Sequence, residues 1–416
     1  MRLSRRSLLS AAPGALLLPR LARADAPAQR RFLFVLAEGG WDQTFLFAPL
    51  FGEPLIDMED DAEPAFAGDI PYVAHGERPS VSAFLSRYGD KTCFINGFEA
   101  RSVAHDVCLR LVLTGTSLPA ADDWPARIAA ATGAQLLLPV IHLGGPGYTH
   151  SHGAMVVRVG DAGQLPELVT GEAFTRSDRL LRRPSSAVES LEADFLAGRI
   201  AAGAAAAGAG RSAHVWSRAA DAVSRLGPLA AAADEINLGV ARTVKEGMSL
   251  LVDAFAADLS RCGFVRYRGW QNLGWDTHAD LPQQGRSFED LFDAVLATMD
   301  RLQALPGHSA PTLADETTIV LLSEMGRYPQ INPRGGKEHW TYTSCVLIGA
   351  GVRGGRAIGG YDSACAGQRV DLASGDSTPQ GVALTPNHVG ATLLALAGVD
   401  PAAELPGVEP IHAALA

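Results

Sequence analysis

The chain has 416 residues, with 35 Lys and Arg against 45 Asp and Glu and a formal net charge of −10. That length suits one large α/β domain or two smaller ones with an ample core. The negative balance disfavours nucleic acid and anionic membranes as partners, yet leaves room for an anionic substrate held by a local Arg cluster.

At the N-terminus, Ser4-Arg5-Arg6-Ser7-Leu8-Leu9 is a twin-arginine pattern. An apolar run over 8–18 and a small-residue cleavage pattern, Ala22-Arg23-Ala24, follow it. Residues 1–24 therefore read as an export signal, too short for a membrane span. The expected partner is the twin-arginine export machinery, and the expected location is periplasmic or secreted, with no stable membrane span after processing. Loss of the five signal Arg lowers Lys plus Arg from 35 to 30 against 45 acids, a net charge of −15. The five cysteines, Cys93, Cys108, Cys262, Cys345 and Cys365, form no C-x-x-C pair. They read as small buried hydrophobes rather than a disulfide framework.

Along the chain, the apolar run 31–37 predicts a first strand that ends in Glu38-Gly39-Gly40-Trp41-Asp42. A loop-rich stretch to about 80, a helix over 81–88 and a strand over 91–96 come next. In Arg101-Ser102-Val103-Ala104-His105, Ser102 is a candidate helix N-cap and Gly115 a stop. His105 would then lie in the first turn, where unpaired N–H groups and the helix dipole favour an anion. The run 136–143 predicts a strand leading to a Gly-rich loop with His150 and His152, two apart, which either share a ligand or are exposed loop residues. The Ala and Gly stretch 201–210 reads as a flexible linker or frayed helix. Met248, Leu251, Val252, Phe255 and Leu259 trace one face of a helix, as do Phe288, Leu291, Phe292, Val295, Met299 and Leu302. Between these helices lie a strand at 264–267 and Gly274-Trp275-Asp276-Thr277-His278.

The second of these helices runs into residues 318–323, a β-branched apolar run of the sort buried on both faces of a parallel sheet. It ends on Glu324. A loop with Arg327 and Glu338-His339 then leads to a further strand, 344–348. In an open α/β sheet, ligands bind outside the carboxyl ends of the strands. The acids and imidazoles at those exits are Asp42, Asp276, His278, Glu324 and His339. Carboxylates mixed with imidazoles suit Zn or Mn better than Mg or Ca. A framed helix over 386–398 closes the chain.

Taken together, GGWDQ, GWDTHAD, SEMGR, KEHW and IGAGVRGG resemble domain-of-unknown-function family 1501, which is similar to a branch of the alkaline phosphatase and sulfatase superfamily. The segment FINGFEARSVAHDVCLRLVLTG resembles the sulfatase stretch that carries the nucleophile, and LTPNHVGATLLALAGVDP the superfamily's C-terminal helix. The resemblance implies an alkaline phosphatase-like α/β fold: a doubly wound, mostly parallel sheet with helices on both faces. It would occupy 25–416 as a single domain with a helical, Ala-rich insertion around 185–260. It also implies two metal sites, one holding Asp42 and Glu324 and the other Asp276, His278 and His339. Arg101, Arg110 or Arg327 would hold the anionic group of a small-molecule or polysaccharide ester.

Two positions depart from the superfamily pattern. His105 stands where a Cys, Ser or Thr nucleophile is found, with Ser102 the nearest hydroxyl, and Glu324-Met325 replaces Asp-His. His105 is thus a candidate metal ligand, base, nucleophile or helix-capping group. The expected function is an exported, metal-dependent hydrolase of a phosphate or sulfate ester. The alternative is a non-catalytic binding or assembly protein on the same scaffold.

Overall fold

The computed structural model describes residues 30–159, 185–233 and 241–416. The expected export signal lies outside them. The first half of the chain forms β1 (Arg31–Ala37), the hairpin β2 (Glu63–Ala67) and β3 (Ile70–Ala74), α1 (Pro79–Tyr88) and β4 (Thr92–Glu99). It continues through α2 (His105–Thr114), α3 (Trp124–Thr132), β5 (Val140–Leu143) and β6 (Val156–Val159). Two long helices, α4 (Ser186–Ala206) and α5 (Arg211–Ala233), precede α6 (Val244–Ala256), β7 (Cys262–Tyr267) and α7 (Pro282–Ala304). Then come β8 (Thr317–Leu322), the hairpin β9 (Gly326–Ile331) and β10 (Lys337–Trp340), β11 (Tyr342–Gly349), β12 (Arg356–Ile358) and α8 (Pro386–Leu396).

Eight strands make the main sheet in the order β12-β4-β11-β8-β1-β7-β5-β6. Only β11 runs against its neighbours β4 and β8; every other pairing is parallel. The central strands β1 and β8 are buried along their whole length, as their unbroken apolar sequences require. Alternation along β1 divides the core in two. Leu33, Val35 and Ala37 face α1, α6 and α7 through Phe84, Leu251, Phe255, Leu291 and Phe292. Phe32, Phe34 and Leu36 face α2, α3 and α8 through Leu109, Ile128, Leu393 and Leu394. Helices thus cover both faces of a mixed, mostly parallel sheet.

Several expected boundaries shift for local reasons. The strand expected over 136–143 is only β5, because Pro139 has no N–H to give to a ladder. Its carbonyl instead accepts from Arg261 and Cys262 (3.1 and 3.0 Å). Of the two readings of 201–210, linker or frayed helix, the stretch is helix through Ala206, and a turn with Gly208 and Gly210 at positive φ follows it. Of the helical insertion expected around 185–260, no described residue of α4 or α5 belongs to either core cluster, whereas α6 belongs to the core layer with β7 and α7. All five cysteines are buried and free. Among the described residues no helix is long and apolar enough to cross a membrane.

On the second face, α2, α3 and α8 converge on Trp124, whose indole N–H donates to Val112 O (2.7 Å). An added Cβ at Gly390 would overlap that ring. Gly390→Ala should therefore destabilise the protein by about 1–3 kcal/mol through overpacking. Urea unfolding should show a lower midpoint at unchanged slope.

Candidate metal centre

The site forms where β1 and β8 end side by side. After β8, the Ser323 hydroxyl donates to Ala37 O (2.6 Å) and Glu324 accepts the Gly39 N–H (2.8 Å), which locks the two strand exits together. Gly39 has φ +125°, and a Cβ there would stand 2.7 Å from Asp276 N. Only glycine allows the loop after β7 to come in this close. That loop brings Asp276 and His278, the first turn of α2 brings His105, and β10 brings His339. Register completes the set: His339 pairs with Arg327 across the β9–β10 hairpin, beside a bulge between Lys337 and His339. Cross-strand partners share a face, and both side chains reach Asp276.

His105, Asp276 and His339 offer ligating atoms that all lie within 4.8 Å of one another. His339 Nε2 is 3.1 Å from Asp276 Oδ1, and His105 Nε2 is 3.5 Å from Asp276 Oδ2. His278 joins the edge of this group, with Nε2 3.1 Å from Asp276 Oδ1 and 3.0 Å from His339 Nε2. Each imidazole meets an oxygen through its other nitrogen. His105 Nδ1 meets Glu324 Oε1 (2.8 Å), His339 Nδ1 meets Val103 O (2.7 Å) and His278 Nδ1 meets Glu338 Oε2 (2.8 Å). For His105 and His339 these hydrogen-bond partners fix the tautomer that leaves Nε2 as the ligating atom. His105 Nε2 is buried and makes no hydrogen bond. Metal bonds of ~2.0–2.1 Å set tetrahedral ligand separations of about 3.3 Å, close to the spacings found here. The donor set therefore fits a divalent metal ion.

Charge is balanced tightly. Burial alone would raise the Asp276 carboxyl, but bonds from His105, His339 and Arg327 outweigh it and hold the group well below the usual carboxylate range. The Asp276 and Glu324 carboxylates beside it lift the His105 imidazole to about 9. Without an ion, His105 is thus a cation at neutral pH. The Glu324 side chain is fully buried, whereas those of Asp276 and His105 remain 45% and 33% exposed, so solvent and a ligand can reach the centre.

The other expected site residues are placed differently. Asp42 is not with the imidazoles. It is fully buried in an ion pair with Lys337 (2.9 Å), and its second oxygen caps the turn at Thr44 (N, 2.9 Å; Oγ1, 2.7 Å). Glu324 stands behind His105 rather than among the ligating atoms. The Ser102 hydroxyl accepts from Ala104 N (3.2 Å), and Ala104, not Ser102, is the N-cap of α2. Arg327 is wholly buried and spends its donors on Asp276 (2.6 Å) and on Gly39, Gly40, Trp275 and Lys337 carbonyls. It is a strut, with nothing left for a substrate. Arg110 lies over the Tyr148 ring at 4.6 Å, and Arg101 is exposed just before the loop to α2. His150 and His152 do not converge on a shared ligand; their backbone N–H groups, with that of Ser151, point at Asp122 (2.7, 3.1 and 3.0 Å). Sequence reasoning missed Lys337. Its place two residues before His339 did not reveal it, because a bulge between the two breaks the strand alternation and turns Lys337 to Asp42 while His339 meets Asp276.

The family described as "Protein of unknown function (DUF1501)" matches residues 81–409, and the chain belongs to that family. No curated protein matches it. Among solved structures it is similar to Ps i-CgsB in complex with k-i-k-neocarrahexaose, at 10% identity and TM-score 0.41, over 92% of this chain and 78% of that one. It is also similar to the lipoteichoic acid synthase LtaP from Listeria monocytogenes, at 7% identity and TM-score 0.39, over 92% and 74%. The PsFucS1 sulfatase from Pseudoalteromonas sp. is similar at 10% identity and TM-score 0.39, over 93% and 72%. What the site can do is read from its own atoms.

Two outcomes are expected. Folding raises His105 from about 6.5 to about 9, so its ionic contribution to metal-free stability is full below pH 6.5 and lost as pH climbs through 9. Melting of the chelated protein should fall over that window, and His105→Gln should flatten the fall. Lys337→Met leaves the Asp42 carboxylate buried and unpaired, at a cost of about 3–5 kcal/mol in denaturant unfolding.

Proposed function

We propose that the protein is a metal-dependent hydrolase of a phosphate or sulfate ester, with a single ion held by His105, Asp276 and His339. The observation that carries this reading is the convergence of two imidazole Nε2 atoms and one carboxylate, each imidazole held from behind by an oxygen partner. An ion bound there would polarise an ester oxygen and lower the pKa of a water. Three protein donors leave a coordination position for substrate or water, as in catalytic rather than structural sites.

The residues divide the work. Arg327 and the Gly39 approach fix Asp276, and Glu324 fixes the tautomer of His105. His278, in contact with the Glu338 carboxylate, is placed to give a proton to the departing alcohol oxygen. Among the described residues neither the Ser102 hydroxyl nor the Cys108 thiol is set for attack. Ser102 is turned to its own backbone, and burial pushes the Cys108 thiol up to about 11. Water is therefore the nucleophile in this scheme. Export by the twin-arginine route to the periplasm or beyond belongs to the same proposal and rests on residues 1–24.

The test is turnover of aryl phosphate, phosphodiester and aryl sulfate by protein loaded with Zn or Mn. His105→Ala, His339→Ala and Asp276→Asn should lose both metal and activity. His278→Ala should keep the metal and lose about 10²–10⁴ in kcat. Metal retained without turnover on any of the three ester types would instead favour the binding or assembly protein, a reading supported by the absence of a protein nucleophile at the centre. Absence of bound metal after loading would overturn the hydrolase.

A further inference from the structure

A second concavity opens at the same edge of the sheet. It lies where β5, β6 and β7 end, about two strand spacings, or roughly 10 Å, from the β1–β8 exits that carry the metal centre. Its volume is about 510 Å³, within the range of small-molecule sites. Leu143, Leu250 and Val265 are among the apolar residues lining it. Its polar lining includes Arg242, Arg268, Gln271, Asn272 and Asp290, together with the indole of Trp270.

Three features give this cavity a chemistry. First, the Arg242 and Arg268 side chains make no hydrogen bond or ion pair among the described residues. Arg266, by contrast, is already spent on Glu38. Among the described residues the cavity therefore offers two guanidiniums without a partner, groups that match a carboxylate or phosphate by bidentate bonding. Second, the Trp270 ring lies 5.3 Å from the Arg286 guanidinium and has its backbone fixed at both ends: its N–H donates to Ser287 Oγ (3.0 Å) and its carbonyl accepts from Gln283 (3.0 Å). A fixed indole presents a flat apolar surface of the kind that meets the C–H face of a sugar ring. Third, Gln271 and Asn272 both adopt positive φ, 54° and 60°. Two successive non-glycine residues in the left-handed region are uncommon, and such conformations cluster where a backbone is held for binding. The turn is pinned by Gly274 N–H to Arg268 O (2.6 Å) and holds two amide side chains at the rim.

We propose that this cavity is a subsite for an anionic saccharide, with the indole and amides meeting the sugar ring and hydroxyls and Arg242 and Arg268 meeting its carboxylate or other acidic group. The strand exit and loop that line it, 265–272, run on directly to Asp276, and the Tyr267 and Trp275 rings pack at 5.7 Å between the two. A chain of sugars held in the cavity would thus extend toward the metal centre. This inference rests on the hydrolase reading only for what happens at the centre; it names the alcohol part of the ester as an acidic glycan.

Titration calorimetry of the metal-loaded full chain with tri-galacturonic acid, which carries no phosphate or sulfate ester, tests the cavity apart from the chemistry. Binding should be measurable, at least tenfold tighter than for maltotriose. The Arg242→Ser/Arg268→Ser double variant and Trp270→Ala should each weaken it by tenfold or more, with His105→Ala unchanged. Circular dichroism of each variant keeps misfolding from passing as lost binding. Equal binding of the neutral trisaccharide, no binding of either, or loss on His105→Ala alone would each overturn the assignment. Loss on His105→Ala alone would place the acid at the metal centre. Saccharide binding with no ester turnover would sink the hydrolase reading while leaving this subsite standing.

Discussion

One carboxylate organises this molecule's functional edge. Asp276 lies against a buried guanidinium on one side and imidazoles on the other, which hold its carboxyl well below the usual carboxylate range. The other donors of Arg327 tie the backbone of two strand exits to the same point. The position of Asp276 is therefore set before any ligand arrives. In the metal-free state the charge that Asp276 and Glu324 demand comes from the proton on His105. An incoming ion would replace that proton, which couples metal affinity to pH.

The scaffold makes this possible by bringing distant segments to one rim. Parallel pairing of β1 with both β7 and β8 places their carboxyl ends together. The β9–β10 hairpin then folds back over the rim. Lys337, fully buried against Asp42, Thr44 and the Asp57 carbonyl, clamps that hairpin from beneath. Removing a buried ion pair's partner is far more damaging than replacing the pair, so the clamp is a point on which His339 depends without touching it.

Much of the fold could be read from the sequence because buried parallel strands leave unbroken apolar runs; 31–37 and 318–323 match β1 and β8 to within a residue. The helix stripes through Met248 and Phe288 were equally plain. The site was legible as a set of strand exits but not as an arrangement. Nothing in the spacing of Asp42 says that an ammonium three hundred residues on would claim its oxygen (2.9 Å). Likewise, Arg327 and Glu324 read as substrate-facing or ligating groups. Only three-dimensional burial reveals that one braces a carboxylate and the other an imidazole. Residue type told which chemistry was present; register and burial decided which atoms face inward.

The five thiols extend the account in another direction. Four of them, Cys93, Cys108, Cys262 and Cys345, sit in the layer beneath α2, α3 and α8, and Cys365 sits in the opposite layer. None is bonded to another, so no disulfide ties one layer to the other. Each sulfur is also a native reporter: an alkylating reagent can reach it only when the layer above it opens, and the order in which the five become modified would map how the two halves of the interior come apart.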